Sequence, residues 1–218
     1  MIPPEANGNF VAQMEQVLEV YKRPYDEKNP VICMDEMPKQ LIGEYVEPIA
    51  MNEHHSKRSD YEYVRKGTCS IFIANEPLKG KRIVSIKERR TKNDWSDFTK
   101  TISETYPEAE KITLVMDNLN THSPGSWYET YSANEAKKLM DRFEIIHTPK
   151  HGSWLNMAEI ELNVLNGQCL NRRIGDIAIM RLEVAAWVKS RNANTSKIKW
   201  QFTSENARIK LQNLYPKL

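Results

Sequence analysis

The sequence predicts an α/β protein: a mixed sheet of hairpin strands followed by parallel strands, with flanking helices and further helices at the C-terminal end. Three observations lead there. Five short stretches are rich in apolar and β-branched residues. The first three follow one another without an intervening helical pattern, so they read as antiparallel. The last two alternate with segments of helical periodicity, so they read as parallel.

The elements follow in order. Asn9 to Tyr21 reads as a helix, with Phe10, Met14, Leu18 and Tyr21 at helical spacing. The polar, proline-bearing KRPYDEKNP links it to VICM (31–34), a short strand that DEMP is expected to end. Tyr61 to Ile73 and Arg82 to Lys87 read as a hairpin, with Pro77 and Gly80 in its turn. A helix follows from about Asp94 to Thr105, with Trp95, Phe98 and Ile102 on one side. KITLVM is the next strand. Ser132 and Glu135 have capping-box spacing for a helix carrying Ala136, Leu139, Met140 and Phe143. EIIHT is the last strand. Helices are expected over Ser153 to Leu170, Ile177 to Arg191, and Glu205 to Leu214. In such a sheet, ligands sit beyond the carboxyl ends of the parallel strands.

Composition narrows the class. The 218 residues suffice for one large domain or two small ones, and five Trp and nine Tyr supply ample core material. The net charge of +2 does not by itself announce a nucleic-acid partner. Cys33, Cys69 and Cys169 are far apart and lack CxxC spacing, which argues against a disulfide framework or a structural zinc site. No apolar run approaches a membrane span, and MIPPEANGNF lacks the basic and apolar regions of a signal peptide. A cytoplasmic protein with no membrane partner is the expectation.

Two strands end alike, VICM on Asp35 and TLVM on Asp117. Alone, either acid reads as a turn residue or a helix cap. As neighbours in one sheet, the two carboxylates repel unless a cation neutralises them, and Mg²⁺ favours hard oxygen ligands. A third acid can come from KHGSWLNMAEIELNVLNGQCL. There Glu159 and Glu161 flank an apolar stripe of Leu155, Ala158, Leu162, Leu165 and Cys169 on opposite sides, so helical phase does not choose between them. Asn156 and Glu159 also have capping spacing, which gives Glu159 a purely structural reading.

CMDE, VMDNLNTH and TPKHGSWLNMAEIE resemble the three catalytic blocks of DDE transposases, of the bacterial insertion-sequence group related to mariner elements. RSDYEYVRKGT and IKWQFTSENARIKLQNLYP resemble the same group. The resemblance runs from about residue 28 to the end. It implies a ribonuclease H-like catalytic domain over 29–218, after an N-terminal helix and linker over 1–28. It implies two Mg²⁺ (or Mn²⁺) ions held by Asp35, Asp117 and Glu159, with Glu161 as the fallback. The reaction implied is DNA cleavage at element ends and strand transfer into target DNA. Implied partners are DNA, a second copy in a homodimer, and a helix-turn-helix domain ahead of the catalytic one. The implied setting is the bacterial cytoplasm, associated with the nucleoid. Asp35 and Asp117 are 82 residues apart, and Asp117 and Glu159 are 42 apart. The second gap is longer than in mariner-type relatives, and the extra SPGSWYETY is one expected reason.

Around the acids, Asn118, Asn120, His122 and His151 are candidates to orient ligands or phosphate, or simply to cap loops. His54 and His55 lie in a polar loop and receive no role. KGKRIVSIKERRTK carries Lys79, Lys81, Arg82, Lys87, Arg89, Arg90 and Lys92 against the single acid Glu88. These are candidates for phosphate contacts, or for a charged, protected sheet edge. Trp187, Trp200 and Phe202 among C-terminal basic residues suit either a nucleic-acid surface or core. The alternatives are another ribonuclease H-like nuclease, or an inactive DNA-binding or dimerisation remnant.

Overall fold

Five strands order themselves β3-β2-β1-β4-β5 in one mixed sheet. The structure is a computed structural model that describes residues 6–56 and 58–216. The first five residues of the N-terminal reading lie outside these. β1 (Val31–Glu44), β2 (Tyr63–Glu76) and β3 (Lys81–Lys87) form an antiparallel meander. β4 (Ile112–Met116) joins β1 in parallel, and β5 (Phe143–His147) joins β4 in parallel. β4 is buried at every position, as a central parallel strand covered on both faces must be.

Alternation along the strands sorts two cores. Cys33, Ile71, Ile73, Val115 and Ile146 face α1 (Gly8–Tyr21), α5 (Met157–Leu165) and α6 (Ile177–Ala193). Ile32, Met34, Phe72, Leu114 and Met116 face α2 (Lys92–Thr105), α3 (Pro124–Thr130) and α4 (Ala133–Arg142). The predicted caps form: Ser132 Oγ accepts from Glu135 N at 3.4 Å and donates to the Glu135 carboxylate at 2.8 Å. At the C-terminal end, α7 (Ser204–Lys210) packs on α1. Trp187, Trp200 and Phe202 join the first core, Trp200 against Tyr21 and Phe202 against Trp154, so their core reading is the one observed.

Three segments differ from the sequence reading. DEMP does not end the first strand. β1 runs on to Glu44 because β2 pairs with it throughout, from Cys33↔Asn75 past Asp35↔Ile73 and Pro38↔Ser70. Pro38 is tolerated there because β4 has stopped pairing at Cys33, leaving that side of β1 an open edge. The extra SPGSWYETY, to which the sequence assigned no element, contains α3, with Pro124 at its first turn and Trp127 buried between Trp95 and Phe143. Ser153 to Leu170 is not one helix. It divides into a 3₁₀ turn at Ser153–Leu155, α5, and a π-turn at Asn166–Leu170.

Beyond Pro38, β1 and β2 project as a two-stranded ribbon carrying exposed Tyr45, Val46, Ile49, Met51 and Tyr61 near its tip. Arg173 pins its outer end. The guanidinium pairs with the Glu44 carboxylate and donates to the carbonyls of Asp60, Tyr61 and Glu62 at 2.8–3.0 Å.

The hairpin turn at Gly80 has φ +76°, and a Cβ there meets the Thr195 backbone at 2.8 Å. Gly80→Ala is therefore expected to destabilise the fold by roughly 2 kcal/mol, combining left-handed strain with an unyielding backbone contact. Urea unfolding measures it; an unchanged midpoint contradicts this packing.

Candidate active site

The parallel register sets the site. Cys33 lies opposite Val115. Two residues further along each strand direction, the same offset sets Asp35 against Asp117. Asp35 falls on the α5 side by alternation, in line with Cys33. Asp117 lies one residue beyond β4, where alternation no longer fixes its side chain, and its carboxylate meets His122. Asp35 lies in the interior of β1, with β2 continuing beside it, and Asp117 follows the last residue of β4.

α5 brings the third acid. Its N-cap Asn156 is buried, accepts from Ala158 N at 3.1 Å, and donates to Met34 O at 2.8 Å. Tyr21 Oη donates to Leu155 O at 2.7 Å. The Asn156 bond clamps the start of α5 to β1, one residue before Asp35, and the Tyr21 bond ties it to α1. Glu159 lies in the first turn of α5 and is half-buried.

Burial pushes the Asp35 carboxyl up to about 7, and the charges of Glu36, Asp117 and Glu159 push in the same direction. Only the bond from Glu36 N to Asp35 Oδ1, at 2.8 Å, opposes them. Asp35, Asp117 and Glu159 therefore share one negative field.

Glu161 sits elsewhere. It is fully buried and accepts from Arg82 at 2.5 and 2.9 Å and from Arg191 at 3.2 and 3.4 Å. Burial alone disfavours its charge, but the two guanidiniums outweigh that and hold its carboxyl below the usual carboxylate range. This acid welds α5 to β3 and α6. Arg82 consequently departs from the phosphate-contact set: its side chain is 1% exposed and also donates to Gly80 O and Ser196 O.

The remaining basic residues do not form one patch. Lys79 and Lys81 lie at the opposite edge of the sheet, where Lys79 pairs with Glu27 and Lys81 covers the Tyr106 ring. Lys87, Arg89, Arg90 and Lys92 follow β3 past the Asp35 row, at the same end of the sheet but with Lys87, Arg90 and Lys92 reaching to the α2 and α3 side. Arg89 and Arg90 are exposed, Lys87 lies 3.5 Å from Asp97, and Lys92 donates to both Glu129 carboxylate oxygens at 2.7 and 2.8 Å.

Asn118 and Asn120 are exposed beside Asp117. His122, by contrast, is buried, with Nδ1 2.6 Å from Asp117 Oδ1 and Nε2 3.3 Å from Glu36 Oε2. Burial opposes its positive charge, but both carboxylates outweigh burial and push its pKa up to about 9. Glu36, Asp117 and His122 offer donor atoms within 4.8 Å of one another. His151 is exposed with φ +67° and lines an open groove with Asp117, Asn118, Lys150 and Ser153. Sequence reasoning passed over Glu36, Asn156 as a clamp, and His147. The Nδ1 of His147 donates to Asp117 O at 3.1 Å.

Residues 30–181 match the DDE superfamily endonucleases, and the chain belongs to that family. Among solved structures it is similar to the Mos1 mariner paired-end complex with Mn, at 12% identity and a TM-score of 0.58, covering 90% of this chain and 60% of that one. It is also similar to the Mos1 paired-end complex with Mg, at 11% identity and 0.58, covering 100% and 66%. The Mos1 strand transfer complex matches at 12% identity and 0.57, covering 90% and 59%. At such identities the likeness concerns the fold, which is ribonuclease H-like. The chain spans about 60% of the length of the first of these transposase chains. No curated protein sequence matches it. No helix among the described residues is long and apolar enough to cross a membrane.

Proposed function

We propose that residues 29–218 are the catalytic domain of a DNA transposase, cleaving DNA at insertion-sequence ends and joining those ends to target DNA. Asp35, Asp117 and Glu159 are its ligands for two Mg²⁺ (or Mn²⁺) ions. The observation that supports this reading is the carboxyl edge, where burial first, and then the charges of Glu36, Asp117 and Glu159, hold the Asp35 carboxyl near 7. Perturbed carboxyls of this kind concentrate at functional sites, and their hard oxygens fit Mg²⁺ or Mn²⁺. When bound, the metal supplies Lewis-acid stabilisation of the attacking and leaving oxygens of a phosphodiester.

The chain's own groups do the rest. The Asn156 clamp and the β1–β4 register fix the acids before substrate arrives, so their alignment costs little at the moment of reaction. Asn118 and Asn120 present exposed amides to a phosphate beside Asp117, and His151 and Lys150 flank it. Arg89, Arg90, Lys87 and Lys92 extend the contact along the backbone. Pairing two element ends calls for a homodimer, and recognising them calls for a helix-turn-helix domain ahead of this one. The nucleoid of the bacterial cytoplasm is the matching location.

Labelled element-end DNA incubated with Mg²⁺ or Mn²⁺ tests the reading. Metal-dependent cleavage is expected, lost in Asp117→Asn and Glu159→Gln. Strand transfer of the cut end separates a transposase from a simple nuclease. Equal cleavage with chelator present, or by Glu159→Gln, overturns the assignment.

A further inference from the structure

We infer that Glu36 and His122 form a strut that sets the position of Asp117 from the far side of the sheet, with Glu36 as a positioning residue. The inference rests on the reading of Asp117 as a metal ligand.

Asp35 and Glu36 are consecutive in β1, so their side chains leave opposite faces of the sheet. Asp35 faces α5. Glu36 faces the Trp95 side, where its side chain is 1% exposed. A buried carboxylate needs partners, and Glu36 has two. Arg90 Nη1 donates to Oε1 at 3.4 Å. His122 Nε2 lies 3.3 Å from Oε2 as a charge contact outside hydrogen-bonding geometry, neither Nε2 nor Oε2 having a hydrogen-bond partner among the described residues. The ring of His122 stacks on Trp95, at 5.8 Å and 23° between planes, which fixes its orientation. Its backbone N donates to Leu119 O at 2.9 Å, which closes the turn that carries it. From that fixed ring Nδ1 reaches Asp117 Oδ1 at 2.6 Å.

Asp117 is thus held at both ends, its carbonyl by His147 and one carboxylate oxygen by His122. The other oxygen, Oδ2, is left for a ligand. This is the arrangement by which partners behind a metal ligand select its orientation. A rival use of the same atoms is a cation bound directly by Glu36, Asp117 and His122. The 2.6 Å contact argues against it, because a proton shared between Nδ1 and Oδ1 occupies the donor pair a cation needs.

Calorimetric titration of the folded, DNA-free chain with Mn²⁺ decides. The variants are Glu36→Gln, His122→Asn, their double, and Asp117→Asn as the reference for a lost ligand. Each single variant is expected to weaken Mn²⁺ binding about 10–100-fold. The double is expected to do no worse than the singles, because the two act in series. If Glu36→Gln proves unfolded by circular dichroism, His122→Asn carries the test. It keeps an amide donor near Asp117 but breaks the link to Glu36. Wild-type Mn²⁺ affinity in the folded variants, with binding lost in Asp117→Asn, overturns the strut alone. Loss as complete as in Asp117→Asn makes Glu36 or His122 a ligand and also overturns it. Undiminished binding by Asp117→Asn removes the metal reading and the strut together.

Discussion

Asp35→Asn is expected to abolish metal-dependent DNA cleavage while making the metal-free protein more stable at pH 8. The activity loss is at least about 100-fold, because an acid that neutralises transition-state charge through a metal is gone. The stability gain follows from the raised pKa. A carboxyl held near 7 in the fold but in the ordinary range when unfolded binds its proton more tightly in the native state. Its contribution is fully present below the unfolded pKa and is lost as pH rises toward and through about 7. Above that, the ionised group works against folding. The shift sets an upper bound of about 4 kcal/mol, and solvent screening of a half-buried group reduces it to roughly 1–2. Calorimetric melting then shows a Tm several degrees above wild type at pH 8 and little difference at pH 4. Adding Mn²⁺ closes the gap from the other side, stabilising wild type but not the variant. A variant that melts below wild type equally at both pH values shows that Asp35 is not electrostatically strained.

Glu161→Ala carries the largest structural effect. The acid is fully buried with Arg82, and Arg191 makes the third member. Removing it leaves the Arg82 guanidinium buried beside another positive charge, and breaking such a pair costs roughly 3–5 kcal/mol. The lowered pKa of Glu161 gives the pH sign: its stabilisation is present above the unfolded carboxyl pKa and disappears as pH falls through the depressed folded value. Urea unfolding measures the loss, and Glu161→Leu combined with Arg82→Met recovers most of it. The neighbouring Glu159→Gln behaves oppositely, with Mn²⁺ binding lost and the fold intact. If Glu161→Gln instead lost Mn²⁺ affinity at an unchanged Tm, the roles of the two glutamates would be exchanged.

That pair shows what a linear reading reaches and where it stops. Helical phase put Glu159 and Glu161 on opposite flanks of one stripe and left them equivalent. What separates their surroundings is Arg82, 79 residues away on β3, which no local pattern connects to α5. Arg82 itself read as one of a basic run, although the alternation in KRIVSIK already turned it to the opposite face from Lys81. The parallel strands, helix α2 and the Ser132-capped helix α4 were legible, because apolar runs and cap residues act locally. Glu36 was hidden because the polar DEMP looked like a strand end. Pairing with β2 overrides that weak local signal, and only a continuing strand sends Glu36 to the far face. The helix in SPGSWYETY carried its own sign, a Ser-Pro entry, but at seven residues it depends on burying Trp127.

The ribbon beyond Pro38 is a beam lashed along its length rather than hinged at a root. Lys39 Nζ donates to Asn166 Oδ1 at 2.8 Å, Ile42 N donates to Ile174 O at 3.0 Å, and Leu41 and Cys69 are buried in the first core. Arg173 makes the outermost lashing, at Glu44 and the carbonyls of residues 60–62, and it sits in the short connector leading into α6 rather than in the sheet. The bearing of the exposed tip is therefore set as much by the stretch between α5 and α6 as by the sheet it grows from.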